Sequence, residues 1–220
     1  MGNWERLVWN QRDVFIAGFV VTLEVCLIAF AFAILGGLVL CLTRLYVKPL
    51  RPVAVFLIEF FRDTPIFVQL MWVSYVWPEL FGFPKSFFAA GWLALGLQSS
   101  GYLAETFRAG IEGVPRGQRE AAFSAGMSPA QTFARIVMPQ VALASAPSIV
   151  NQFVSLFKAT TIVSLIAVPD LMYDVSMVTQ QEMRPLPLYT GAAITYFLII
   201  FALSVGVRHF SERWRRKILA

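Results

Sequence analysis

Residues 14–42 read VFIAGFVVTLEVCLIAFAFAILGGLVLCL, a run in which Glu24 is the one charged side chain. A helix that crosses a bilayer needs about 20 mostly apolar residues, and this run exceeds that length. Hydrocarbon offers no hydrogen bonds, so such a segment must pair its backbone groups internally, which an α-helix does. Four further apolar segments follow, at about 53–77, 87–111, 141–168 and 188–207. The chain of 220 residues is 58% hydrophobic and 14% charged, with a mean hydropathy of +0.67. It lacks the polar residues that a soluble domain of this length needs on its surface. The expected fold is all-α and polytopic: one membrane domain over residues 1–220 with five transmembrane helices and no separate soluble domain or repeat.

The net charge of +5 does not indicate nucleic acid. The basic residues gather at the ends of apolar segments and form no basic face interleaved with aromatics. They read instead as orientation signals. Arg44, Lys48 and Arg51 follow the first segment, and Arg108, Arg116, Arg119 and Arg135 surround the loop after the third. Arg208, Arg213, Arg215, Arg216 and Lys217 form the tail, and the opposite connections are poorer in base. The N-terminus is therefore expected outside and the C-terminus in the cytoplasm. Trp4, Trp9, Trp77 and Trp92 fall at the expected outer interface, where amphipathic rings settle. His209 reads as an interfacial residue at the inner end of the last helix. Met1–Asp13 is polar and mixed in charge, unlike a cleavable signal peptide. Cys26 and Cys41 lie within the first apolar run without metal-type spacing, and read as small buried hydrophobes.

The loop at 115–140 is too polar to span and too apolar for a free linker. Pro115 suits the start of a helix, Arg116 to Ala125 continue it with good helix formers, and Gly126 supplies a stop. Ser128, Pro129 and Gln131 form a second start signal with a capping box. Two short cytoplasmic helices hinged at Gly126 are expected, with Phe123, Met127, Phe133, Ile136 and Met138 as apolar contacts. The small residues Ala121, Ala122 and Ala125 suit close docking by another protein. The residues by themselves equally fit an amphipathic element lying on its own bundle or in the lipid interface.

Glu120-Ala121-Ala122, then Gly126, Met127, Ser128 and Pro129, then Ile136-Val137-Met138-Pro139, resemble the EAA motif of ABC-importer permeases. Methionine at 138 stands where leucine is usual. The resemblance extends to the polar amino acid branch of that family. Phe61-Arg62-Asp63-Thr64-Pro65 followed by Val68-Gln69-Leu70 is similar to its FRGTP…VQL segment, with Asp63 in place of glycine. Gly18 to Arg44, the run from Tyr102 through Glu105 to Gln118, and Ser155 to Ser164 also resemble it, the last with Ala159 where the family commonly has an acid. This resemblance implies a type I ABC-importer permease core in a bacterial cytoplasmic (inner) membrane. It implies coupling through Glu120–Pro139 to a separate ATPase, which would hold ATP and magnesium, with no cofactor in this chain. It also implies a second permease, identical or homologous, and an extracytoplasmic amino-acid-binding protein.

An ionisable residue at membrane depth costs roughly 2.5–3.5 kcal/mol on insertion scales, so each calls for a partner or a role. Glu59 with Arg62, and Glu105 with Arg108, are spaced for local ion pairs. The other reading puts Arg62, Thr64 and Glu105 on the substrate path, with Arg62 a cation for a substrate carboxylate beside a helix loosened at Thr64-Pro65 whose freed carbonyls line a cavity. Lys158 has no acid within a helical turn. It reads either as a substrate-path residue with Thr160, Thr161 and Ser164, or as the partner of Glu105 or Glu59 across the bundle. Gln69, Gln98, Ser99 and Ser100 read chiefly as packing groups, with Gln69 also a path candidate. Ala159 and Lys158 lean toward acidic or neutral amino acids as cargo. Two other classes compete. An ion-coupled carrier or channel explains the buried charges but leaves the capped helix pair without a purpose. An intramembrane enzyme finds no catalytic constellation, and no Walker-type loop is present.

Overall fold

The computed structural model describes the backbone of residues 12–219 and the side chains of residues 12–206. Trp4 and Trp9 lie outside the described residues, as do the side chains of His209 and of the basic residues of the tail. The described backbone is helical with short connections. In chain order these are α1 (Arg12–Tyr46), α2 (Arg51–Asp63), α3 (Ile66–Phe81), α4 (Phe87–Glu112), α5 (Arg116–Ser124), α6 (Pro129–Ile166), α7 (Leu171–Glu182) and α8 (Pro185–Leu219).

Each of the five apolar segments falls on these helices, with three departures. The second segment is two helices, because α2 ends at Asp63 and α3 begins after the extended Thr64 and Pro65. The second loop helix does not stop before the fourth segment but runs into it, making α6 a single helical run of 38 residues. Residues 171–182, expected as a connection, form α7, which Asp170 caps by accepting the Tyr173 N–H at 2.9 Å. By length and hydropathy, α1, α6 and the Pro185–Gly206 part of α8 can each cross a membrane. Gly91, Gly96, Gln98, Ser99, Ser100 and Gly101 lower the hydropathy of α4, and most of these residues are buried against other helices rather than facing lipid.

Helix α4 is the centre, packed by α1, α2, α3 and α6. Its contact with α1 is backbone-close: a Cβ on Gly37 would lie 2.9 Å from Leu103 Cβ and from the Ser100 carbonyl. The helices α7 and α8 close the other side, α7 packing on α1 and α8 on α7 and α6. One apolar core joins Val25, Leu70, Leu95, Leu156 and Phe157, and a second, toward the loop end, joins Cys41, Ile58, Leu103, Val137 and Val141.

Two helices carry a wide π turn, at Trp72–Val76 in α3 and Phe133–Val137 in α6. Each ends two residues before a proline, Pro78 and Pro139. Proline lacks an N–H, and its ring collides with the carbonyl four residues back. A locally widened turn clears that carbonyl, so both helices continue through the proline.

Candidate functional site

The loop residues form a compact two-helix element on the end of the bundle. Helix α5 ends in a Schellman motif: Met127 N–H donates to Ala122 O at 3.0 Å, and Gly126 N–H to Phe123 O at 2.9 Å. Gly126 sits at φ +79°, a conformation that disfavours any side chain. Ser128 opens α6 with the expected capping box, its N–H donating to Gln131 Oε1 at 2.9 Å while its Oγ accepts the Gln131 N–H at 3.3 Å. The Arg119 guanidinium donates to the Ile111 carbonyl, and the Gln140 amide donates to Gln118 Oε1 and to Ile136 O, so both helices are tied to the bundle.

Of the motif residues, Ala122 and Val137 are buried, Met127, Ile136 and Met138 are half-buried, and Glu120, Ala121, Gly126, Ser128, Pro129 and Pro139 are exposed. Phe123 is exposed at the rim of a cavity of about 390 Å³ that Tyr46, Arg119, Thr132 and Phe133 also line. The element thus presents an outward face of small and polar residues around one aromatic ring.

The polar candidates within the apolar segments divide into separate groups. The break between α2 and α3 is clasped by α4. The Gln98 amide donates to Thr64 O at 3.2 Å, and the Tyr102 hydroxyl donates to Arg62 O at 3.3 Å. Thr64 Oγ donates to Phe60 O at 2.6 Å, and Gln69 donates to Ala94 O at 3.2 Å. Gly101 makes the approach possible, since a Cβ there would lie 2.8 Å from Ile58 O. The carbonyls of Arg62 and Thr64 are therefore taken up by α4 side chains, contrary to the expectation that the break leaves carbonyls free to line a cavity.

The ion pairs also differ from expectation. Glu59 is exposed and does not pair with Arg62, whose Nε donates instead to Asp63 Oδ1 at 3.1 Å. Glu105 pairs with Arg108 as the spacing predicts, at 2.8 Å, and also with Arg44 of α1. Arg108 goes on to Glu112. With Glu105 occupied and Glu59 elsewhere, Lys158 has neither expected partner and is exposed, without an ion pair among the described residues.

The exposed polar groups share a face. On α4 the residues toward α1 are Gly96, Ser100 and Leu103, while Tyr102 and Ala109 lie on the far side and are exposed, with the half-buried Thr106 turned toward α6. Helix α2 flanks that stripe with Arg62 and Asp63. Helix α6 flanks it with Ser148, Asn151, Ser155 and Lys158, four exposed residues at alternating spacings of three and four. Gln152 to Ser99 at 3.2 Å and Ser145 to Thr106 O at 3.5 Å fix the register of α6 on α4. In that register Lys158 stands about 9 Å beyond Gln152 along the axis, away from Arg62. The two cations are separate stations in one chain. Tyr102, Ser148, Asn151 and Ser155 are the members of this face that reading the sequence missed; the 3–4 polar spacing on α6 was the available signal.

Thr160, Thr161 and Ser164 donate their hydroxyl protons to backbone carbonyls of their own helix, Phe157 O, Lys158 O and Thr161 O. Thr160 is buried, whereas Thr161 and Ser164 line a cavity of about 590 Å³ with Ile66, Met172, Tyr189 and Tyr196. Near it, Asp170 is fully buried with Oδ2 unpartnered, and burial pushes its carboxyl up to about 7. Helix α7 is bolted to α1 there, Thr22 Oγ accepting the Leu171 N–H at 3.1 Å and donating to Gly18 O at 3.0 Å.

Residues 15–216 match the family described as the inner membrane component of binding-protein-dependent transport systems. A probable glutamine ABC transporter permease protein, GlnM of Bacillus subtilis, is 31% identical over 94% of this chain and 96% of its own length. The L-cystine transport system permease protein TcyB of the same organism is 32% identical over 96% of this chain and 90% of its own. A crystal structure of an amino acid ABC transporter with histidines superposes with a TM-score of 0.87 at 33% identity, over 97% of this chain and 99% of that one. The MetNI methionine ABC transporter shares the fold alone, at a TM-score of 0.73 and 13% identity. The fold is that of a type I ABC importer permease, and the chain belongs to the family of binding-protein-dependent transport system inner membrane components, among its amino-acid ABC permeases.

Proposed function

We propose that this chain is the permease of an ATP-driven importer of polar amino acids in a bacterial inner membrane. Five spans formed by α1, α2–α3, α4, α6 and α8 cross the bilayer, with the N-terminus outside and the C-terminus inside. The basic residues at the loop end support that orientation. A separate ATPase binds and hydrolyses ATP with magnesium and docks on Glu120–Pro139. A binding protein delivers cargo from outside, and a second permease completes the path. Acidic or neutral amino acids are the favoured cargo, on the strength of Ala159 and the unpaired Lys158.

The observation that carries this reading is the form of the loop element: one short helix, α5, closed by a Schellman turn, and the capped start of α6, both exposed on their outer side, with α5 tied to α4 and α6. A surface that rigid with so little apolar area suits a protein groove better than lipid. The polar α2–α4–α6 face supports a second permease, because polar side chains at membrane depth face protein or a water-filled path rather than lipid.

The test is reconstitution of the permease with its ATPase and binding protein in liposomes, measuring uptake of a panel of radiolabelled amino acids. ATP-dependent uptake is expected, and Gly126→Val is expected to lower uptake and stimulated ATPase activity together while the subunits still copurify. Uptake that persists without the ATPase would establish an autonomous ion-coupled carrier instead.

A further inference from the structure

We infer that Asp63 is a specificity residue that, with Arg62, receives the zwitterionic head of a free α-amino acid. Resting on the reading of the chain as an amino acid permease, the inference adds a residue and a ligand group to it. Within the pair only one of each partner's polar groups is used, Arg62 Nε and Asp63 Oδ1. The four N–H bonds on the two terminal guanidinium nitrogens and the second carboxylate oxygen have no partner among the described residues. The Arg62 side chain is 34% exposed and that of Asp63 is 65% exposed. Both stand where the helix is interrupted, on the polar α2–α4–α6 face.

Their chemistry is complementary to an α-amino acid. A guanidinium fork binds a carboxylate by two parallel hydrogen bonds, and a neighbouring carboxylate oxygen accepts from an ammonium. Because Arg62 and Asp63 are adjacent and already bonded, their free groups are held together, as are the carboxylate and ammonium on one α-carbon. Charge balance agrees. The pair is neutral and so is the zwitterion, so occupancy adds no net charge at membrane depth, where a lone charge is costly. Helix α4 fixes the geometry, since Tyr102 holds the Arg62 carbonyl, Gln98 holds that of Thr64, and Gly101 seats the Arg62 backbone. Glu59, the next exposed acid on α2, is one turn away and not bonded to Arg62; Glu105 of α4 acts on Arg62 through space but is itself paired with Arg44 and Arg108, so Asp63 is the one acid bonded to the cation.

The experiment is equilibrium binding of a radiolabelled amino acid to the purified permease–ATPase complex without the binding protein. The amino acid is the one that the uptake panel identifies, and its N-acetyl and α-amide derivatives serve as competitors. Both derivatives are expected to bind at least about tenfold more weakly than the free amino acid, as loss of a charge-assisted hydrogen bond implies. Asp63→Asn is expected to weaken the free amino acid about tenfold and leave the N-acetyl derivative unchanged, while Asp63→Glu stays within about threefold of wild type. Equal or tighter binding by Asp63→Asn would overturn the inference, showing that Asp63 only masks Arg62. A wild-type complex that transports the amino acid yet does not bind it here would overturn it as well. A panel without ATP-driven uptake of any amino acid counts against the permease reading itself.

Discussion

Gln98 and Thr64 are joined across two helices, the side-chain amide of one donating to the backbone carbonyl of the other at 3.2 Å. The bond sits where Pro65 interrupts the helix, and it gives a partner to a carbonyl that a continuous helix would have satisfied. Gln98→Leu removes the donor without removing much volume. The expected loss is about 1–3 kcal/mol, the cost of a buried acceptor left unpaired, read as a lower melting temperature of the detergent-purified protein. An unchanged melting temperature would show that water replaces the amide.

Gly37 is where α1 comes closest to α4. A Cβ there meets Leu103 Cβ and the Ser100 carbonyl at 2.9 Å, and neither has room to retreat. Gly37→Val should cost at least about 1–3 kcal/mol by overpacking and lower the yield of monodisperse protein. Gly117→Val, where nothing lies within 4 Å, is the control expected to leave thermal stability nearly unchanged.

Glu105 is shared by Arg44 and Arg108, with side chains 20–27% exposed. Glu105→Gln leaves two cations beside a neutral amide. Water reaches these groups in part, so the loss is set at about 1–2 kcal/mol. A double-mutant cycle with Arg44→Gln is the measurement. Simple additivity of the two single changes would show that the α1–α4 ion pair contributes nothing to stability.

Asp170 gives a pH dependence. Burial raises its carboxyl from the usual 3.8 to about 7, so between those values the folded protein holds a proton that the unfolded chain has lost. This group therefore favours folding below about pH 4, and that contribution is lost as pH rises through 7. Asp170→Asn keeps a capping side chain but does not ionise. Its stability advantage over wild type should widen between pH 4 and 7 by about 1.4 kcal/mol per unit and then level off. Thermal unfolding across that range decides it, and a pH-independent difference would refute it.

The helices were legible where local rules decide them. Apolar length marked α1 and α8, and Ser128, Pro129 and Gln131 marked the start of α6 because a capping box is local chemistry. Gly126 marked the end of α5 for the same reason. What failed depended on neighbours in space. Arg62 has acids both three residues before it and next to it, and spacing favours Glu59, but the side chain turned to Asp63. The fate of the Thr64 carbonyl depends on Gln98, 34 residues away. Proline at 139 looked like a boundary, yet the π turn before it let the helix pass. Asp170, after Pro169 and before the run 171–182, carried a readable cap signal, which reading 171–182 as a connection passed over.

The continuity of α6 has a mechanical consequence. Its 38 residues, the last seven of them a tighter 3-10 stretch, reach roughly 60 Å at the usual rises, from the capped end at Ser128 to the cavity that Thr161 and Ser164 line. No loop lies between those ends to absorb strain, and Pro139 and Pro147 are the positions within the run that lack a backbone N–H. A displacement of the Ser128 end is therefore carried to the Thr161–Ser164 end by one continuous helix, which the Gln152–Ser99 bond holds against α4 on the way.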